Sequence, residues 1–551
     1  MQWSIMMNLQ SMNMDKVKNS RNSEQFYLWA VIVLMFVYAV IGAFLYDDYG
    51  CGPDEGMERQ TALVNFRYAV HKLHIPISQK NETWLAYLPE LHDYRDRYYG
   101  TALHFPLVII ESLTNFTLEP VQFYGLRHVY TFITWFISLI CLYKLIVNRF
   151  GSRKFGLAAI LMMILTPRFF AESFYNNKDL IFVSWYVICA WLTDLWFRKR
   201  NWKITVLLAL AMALTCNTRF NGIIYPVIFI FLYFLEFLQN KKASAGKQFV
   251  VTLVLSVIFF YLVTPNFWES PLQTLAETIQ FNLHHPNHSA EGNLFKGYLV
   301  DASRTMTYIP VWIALTVPTV YLCFSLIGAF RYCVQNARTF VSKSFSEIAR
   351  TDAMMFLGSF AAVIFIILTH VTVYNGWRHS YFAYPGFVYF AVYFLARLEM
   401  RRNRILSSGV CALLFCSMIY NARWIAANHP FEYVYFVPWI RDNAAQYSGD
   451  YWSLSSRALL EYITDSDPER MIIINHAHSQ AGSINRGLLP EEKRKYIELT
   501  YDDRPDVDYY IVCRDEIPTV DIDLPGYEKV FSVKVDRDEI GAVFRKMKDE
   551  E

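Results

Sequence analysis

The chain has 551 residues, of which 54% are hydrophobic, 17% aromatic and only 18% charged, against about 25% charged in an average soluble domain. That balance excludes disordered, collagenous and disulfide-stapled chains and points to a polytopic membrane protein with aromatic belts at the lipid surface. The 51 Lys and Arg nearly cancel the 49 Asp and Glu, leaving a net charge of +2, so no global field recruits a nucleic acid.

Residues 1–25 read as a short cytoplasmic segment. The apolar run 26–46 carries no charge and follows Lys16, Lys18 and Arg21. It is too long for a signal h-region and lacks a small-residue cleavage site, so it reads as an uncleaved signal anchor. A helix of about 20 apolar residues crosses a bilayer. By that measure about 11 transmembrane helices are predicted, near 26–46, 129–147, 155–170, 180–197, 204–217, 222–238, 249–264, 311–330, 353–373, 380–396 and 405–421. The runs 155–170 and 204–217 are short, and their outer ends are expected to line a cavity rather than meet lipid.

With the N-terminus in the cytoplasm, every basic cluster falls inside, as short cytoplasmic loops require. These are Arg149/Arg153/Lys154, Arg198/Lys199/Arg200/Lys203, Lys241/Lys242/Lys247, Arg331/Arg338/Lys343/Arg350 and Arg397/Arg401/Arg402/Arg404. The first loop, 47–128, then lies outside with 171–179, 218–221, 265–310, 374–379 and the tail. From 441 to 551 the composition turns polar. A helical pattern at Leu454–Ile463 alternates there with the apolar runs Met471–Ile474, Tyr509–Cys513 and Val530–Val535, which predicts a small extracytoplasmic α/β domain. Residues 26–440 form the membrane domain.

The unusual polar motifs lie on the outer side. After the first span comes Asp47-Asp48-Tyr49-Gly50-Cys51-Gly52-Pro53-Asp54-Glu55-Gly56. Pro53 suits a helix entrance and the acidic pair suits its first turn. The pair is therefore either a helix cap or a carboxylate placed to deprotonate a hydroxyl. Between the third and fourth runs stands Thr166-Pro167-Arg168-Phe169-Phe170-Ala171-Glu172-Ser173-Phe174-Tyr175-Asn176-Asn177-Lys178-Asp179. Ionisable groups at that depth face a wet cavity or a partner. Either Lys178/Asp179 and Arg168/Glu172 satisfy each other, or Asn177, Lys178 and their neighbours bind a phosphate or sugar. Arg219 separates two further runs, as an interfacial anchor or an anion ligand. Arg378 and His379 open the tenth span, where Trp377 and Tyr381 offer an anchoring alternative.

His284-His285-Pro286-Asn287-His288 lacks a tetrahedral set at zinc spacing. No metal site is assigned and no nucleotide site is needed; no cofactor is assigned, although a divalent cation is left open. Most of the nine cysteines sit in apolar runs as small hydrophobes. There is no internal repeat and no glycine-rich phosphate loop, which counts against an ATP-driven pump.

In their order and on their shared side, these motifs resemble a bacterial family 39 type glycosyltransferase of the GT-C superfamily. Relatives of that group are the protein O-mannosyltransferases and the lipid A aminoarabinose transferase. The resemblance covers about residues 26–440. It implies an α-helical polytopic GT-C fold in the plasma (inner) membrane, a polyprenyl-phosphate sugar donor, and inverting transfer on the extracytoplasmic face to the hydroxyl of a glycan, lipid or protein acceptor. It places the catalytic carboxylate at Asp54 with Glu55, and the donor pocket at the turn holding Lys178 and Asp179. Arg168, Glu172, Asn177, Arg219, Arg378 and His379 complete the expected substrate-binding set. The alternatives are a transporter or flippase of lipid-linked sugars, which would show an internal repeat, and a scaffold working through its tail.

Overall fold

The computed structural model describes residues 2–240, 245–283, 292–341, 349–400, 403–468, 470–515 and 517–547. The histidine-rich stretch 284–288 lies outside them. Among the described residues, six helices are long and apolar enough to cross a membrane: Asn22–Leu45, Pro120–Phe150, Asp179–Lys199, Phe220–Gln239, Arg350–Leu368 and Arg404–Asn428. The helices Trp202–Thr218 and Gly246–Leu262 are apolar but shorter.

Two predicted spans are broken, each at a proline. Arg153–Ile164 and Pro167–Tyr175 meet at an angle of 72°. Pro167 opens the second helix, because it lacks the N–H that would continue the first. The bend tips the second helix, fully buried along its length, beneath the polar turn 176–179. The run 311–330 likewise divides into Tyr308–Thr316 and Thr319–Val341, with Pro318 at the break. The helix predicted from 380 begins as a 3₁₀ turn over Arg378–Ala383 and becomes α-helical at Tyr384.

β1 (Asn293–Phe295) and β2 (Tyr298–Val300) form an antiparallel hairpin in the loop before the helix Tyr308–Thr316. The tail carries β3 (Ile472–His478), β4 (Ile497–Thr500), β5 (Tyr509–Cys513), β6 (Tyr527–Val535) and β7 (Asp538–Lys546). They form one sheet in the order β4-β3-β5-β7-β6. β3 is parallel to β4 and β5, whereas β7 is antiparallel to β5 and β6. The central strand β5, Tyr-Tyr-Ile-Val-Cys, is buried at every residue, as a strand covered on both faces must be.

The tail is bonded to the helical bundle through the segments that flank its first helices. The Asn485 amide donates to the Cys51 carbonyl oxygen and its oxygen accepts from the Cys51 N–H, both at 2.9 Å. Arg441 pairs with Asp536 at 3.0 Å and Arg494 with Glu119 at 2.5 Å. Ahead of the sheet, Tyr433, Tyr435, Phe436, Tyr451 and Trp452 are buried in the same core as the helices. The polar tail thus begins inside the helical body.

Candidate active site

The helix Pro53–Lys72 starts with Gly52 as its cap and Pro53 in its first position. Asp54 and Glu55 follow on its first turn and point apart. Glu55 turns back: Oε1 accepts from the Gly52 N–H at 3.0 Å, and Oε2 lies 3.0 Å from His128 Nε2. Asp54 turns toward the polar cluster, where Oδ2 accepts from Arg378 Nη1 at 2.8 Å.

Arg378 stands between the rings of Tyr374 and Trp452, 4.7 Å from each centroid. It also approaches Asp179 at 3.9 Å. Asp179 pairs with Arg219, and Lys178 with Glu58, one helical turn beyond Asp54. Tyr99 lies under Lys178 at 3.8 Å, and His104 faces Glu58 at 3.5 Å. The cluster therefore joins three carboxylates, Asp54, Glu58 and Asp179, to three cations, Arg378, Lys178 and Arg219. All are deeply buried except Asp54, whose side chain is 26% exposed, and Arg219 at 12%.

Burial alone would raise the Asp54 carboxyl, but the charges of Arg378, Lys178 and Arg219 outweigh it and hold the group below the usual carboxylate range. Burial wins at Glu58, which stands above that range despite Lys178. The two neighbours on one helix face thus differ in proton affinity.

The ion pairs of the 168–179 turn run to other elements. Lys178 and Asp179 pair with Glu58 and Arg219, not with each other. Glu172 accepts from the Asn176 amide at 2.7 Å, Tyr381 at 2.9 Å and Tyr451 at 3.3 Å, and makes no direct ion pair among the described residues. Asn176 ties this group to the cluster by also donating to Asp179 at 3.1 Å. Arg168 is directed elsewhere: its Nε donates to the Tyr435 carbonyl at 3.1 Å, beside Trp312 and Phe436. The Asn177 amide nitrogen is buried with no hydrogen-bond partner among the described residues. His379 packs against Tyr374, with ring centroids 4.5 Å apart.

Sequence reasoning missed Glu58, Tyr451 and Trp452. Glu58 had a signal, since i and i+4 share a helix face. The two aromatics had none, because only tertiary folding brings the tail to the cluster. Gly100 allows another close approach. A Cβ there would run into the Asn217 carbonyl, and the adjoining Ala102 N–H donates to Asn217 Oδ1 at 2.9 Å. The first loop is thereby seated on the turn that carries Arg219.

Residues 126–268 match the family model described as dolichyl-phosphate-mannose-protein mannosyltransferase. That stretch contains Arg168, Glu172, Asn177, Lys178, Asp179 and Arg219, but not Asp54 or Arg378. No curated protein matches. Among solved structures, ArnT from Cupriavidus metallidurans bound to undecaprenyl phosphate is similar at 12% identity and TM-score 0.44, covering 94% of this chain and 98% of that one. Its apo form gives 11% and 0.45 over the same shares. The apo oligosaccharyltransferase of Archaeoglobus fulgidus gives 11% and 0.41, covering 88% of this chain and 69% of that one. The match over residues 126–268 bears out, on that stretch, the resemblance to a membrane glycosyltransferase of GT-C type.

Proposed function

We propose that the protein transfers a sugar from a polyprenyl-phosphate donor to an acceptor hydroxyl at the extracytoplasmic face of the plasma membrane, with inversion and with Asp54 as the base. The observation that carries this reading is the placement of Asp54: a partly exposed carboxylate bonded to Arg378 at the edge of a buried cluster of cations. The family matched over 126–268 is described by a polyprenyl-type donor, dolichyl-phosphate mannose.

In the proposed reaction the acceptor oxygen attacks the anomeric carbon opposite the phosphate. The new C–O bond forms as the bond from the anomeric carbon to the phosphate oxygen breaks. The leaving polyprenyl phosphate keeps the electron pair, and the hydroxyl proton passes to Asp54. Fixed cations in a low-dielectric site favour the charge gathering on the leaving phosphate. Arg378, Lys178 and Arg219 are placed to supply them.

The charge balance gives Arg378 a second role. Three carboxylates already compensate three cations, so an arriving phosphate competes with Asp54 for Arg378. As the phosphate takes the guanidinium, Asp54 loses the cation that depresses its proton affinity and becomes a stronger base. Basicity thereby rises only when donor is present.

The N-terminus is assigned to the cytoplasm and residues 441–551 to the outer side, over the membrane domain 26–440. The test is single-turnover transfer from a radiolabelled polyprenyl-phosphate sugar by purified Asp54→Asn, with donor affinity measured alongside. The proposal requires transfer to collapse while donor binding persists. Transport of donor across vesicles, with no release of lipid phosphate by the native protein, would replace the transferase reading by the flippase one.

A further inference from the structure

We infer that Cys51, Glu55 and His128 form a zinc site behind the acidic pair, holding the first turn of the Pro53–Lys72 helix and so orienting Asp54. Cys51 Sγ, a Glu55 carboxylate oxygen and a His128 ring nitrogen all lie within 4.8 Å of one another, in residues that are buried. Sγ is 3.8 Å from Nε2, and Nε2 is 3.0 Å from Glu55 Oε2. Zinc–ligand bonds of about 2.0–2.3 Å at tetrahedral angles set ligand atoms roughly 3.3–3.6 Å apart. The Sγ–Nε2 and Nε2–Oε2 separations lie within a few tenths of an ångström of that range.

The hydrogen bonds behind these groups orient them for ligation. His128 Nδ1 lies 2.7 Å from the Tyr46 carbonyl oxygen. A carbonyl can only accept, so Nδ1 carries the hydrogen and neutral His128 presents its Nε2 lone pair forward. Opposite that lone pair stands Glu55 Oε2, which in the ionised form also only accepts. Two acceptors 3.0 Å apart need a cation between them, either a proton or a metal. A proton would serve these two atoms alone, whereas the third group, the Cys51 sulfur, converges on the same point. The remaining Glu55 oxygen is held by the Gly52 N–H, and both backbone polar groups of Cys51 are held by Asn485.

Thiolate, imidazole and carboxylate together select a borderline ion such as Zn²⁺ over Mg²⁺ or Ca²⁺. Binding releases the Cys51 thiol proton to solvent, and the two anionic ligands then neutralise the ion. The site is separate from the phosphate-binding cations. It acts by position, because Glu55 adjoins Asp54 and His128 belongs to the helix Pro120–Phe150.

The test needs no turnover, so its outcome is independent of the transferase reading. The full-length protein is loaded with Zn²⁺, gel-filtered and analysed for metal, with Cys51→Ser and His128→Gln in parallel. The expected result is about one zinc per native chain and a loss of roughly tenfold or more in occupancy under competition from a chelator in either variant, in line with the cost of removing one ligand. Should a variant fail to fold, Co²⁺ in the native protein gives the second readout: a sulfur-to-cobalt charge-transfer band with tetrahedral visible bands. Loss of zinc on gel filtration together with no sulfur-to-cobalt band would overturn the site and leave a proton-bridged Glu55–His128 pair. Undiminished zinc in both folded variants would overturn it as well.

Discussion

Arg378 Nη1 donates to Asp54 Oδ2 at 2.8 Å across 324 residues of sequence, joining the first long loop to the entrance of a late helix. This bond ties the proposed base to a proposed phosphate ligand. It also separates Asp54 from Glu55, whose oxygens are engaged by Gly52 and His128. Asp54→Asn is therefore expected to lower single-turnover transfer by about 10² to 10⁴, the usual weight of a general base, with donor affinity kept or raised, because the phosphate no longer competes with a carboxylate for Arg378. Glu55→Gln is expected to cost less in transfer than Asp54→Asn and to show mainly as a lower melting temperature. Equal losses in transfer for folded samples of both variants would deny Asp54 its distinct role.

The cations around Asp54 set a pH dependence. Its folded-state pKa is depressed, so the stability it contributes is present above the unfolded value and lost as pH falls through the folded one. The acid limb of kcat/KM, which reports the free enzyme, is expected to lie below the ordinary carboxylate range, and Arg378→Gln is expected to move it upward. A pH profile of kcat/KM for the native protein and this variant checks the direction. An unmoved limb would assign it to another group.

Much of the fold was legible because apolar runs and proline breaks are local features. The helices follow the predicted runs, and Pro167 and Pro318 interrupt two of them. Six helices among the described residues reach spanning length, so the predicted count of about eleven is left open at the runs 155–170, 204–217, 249–264, 311–330 and 380–396. At the site, the chemistry of Asp54, Lys178, Asp179, Arg219 and Arg378 was readable, but their pairing was not. Lys178 and Asp179 are adjacent in sequence yet take partners from different elements, Glu58 and Arg219. Trp452 reaches Arg378 from a tail whose composition promised a separate soluble unit. Such contacts leave no periodic trace in the sequence.

Arg378→Lys keeps the charge but loses the planar group that stands between Tyr374 and Trp452. Cation–π contacts of a desolvated guanidinium contribute about 1–2 kcal/mol, and lysine does not reproduce bidentate phosphate binding. Donor affinity is expected to fall about tenfold, equivalent to about 1.4 kcal/mol. Trp452→Leu should cause part of that loss. Binding measured by displacement of a labelled polyprenyl-phosphate sugar decides it, since an interfacial anchor would instead lower thermal stability and leave donor affinity unchanged.

The assignment of sides is checked with single cysteines at exposed positions. A cysteine replacing Lys203, in a basic loop, is expected to resist an impermeant thiol reagent in intact cells. One replacing Asp523, in the tail beyond the central strand, is expected to react. Both residues are exposed in the structure, so neither outcome is confounded by burial within the protein. Reversed labelling would turn the proposed site toward the cytoplasm.

Lys178 and Glu58 provide the sharpest separation of structural from binding roles. Their side chains are 7% and 1% exposed and form a direct ion pair. Lys178→Met leaves the Glu58 carboxyl without its cation in a buried place, a change that typically costs about 3–5 kcal/mol. Glu58→Gln in the same chain removes the stranded charge, and neutral replacements of a buried pair are often tolerated. The double variant is therefore expected to recover most of the melting temperature lost by Lys178→Met. Donor use should behave differently. If Lys178 meets the phosphate, its loss persists in the double variant, because restoring neutrality around Glu58 puts no ammonium group back. Melting temperature and single-turnover transfer are measured on all four proteins of the cycle. Joint recovery of stability and transfer would make the pair a structural tie and confine phosphate binding to Arg378 and Arg219.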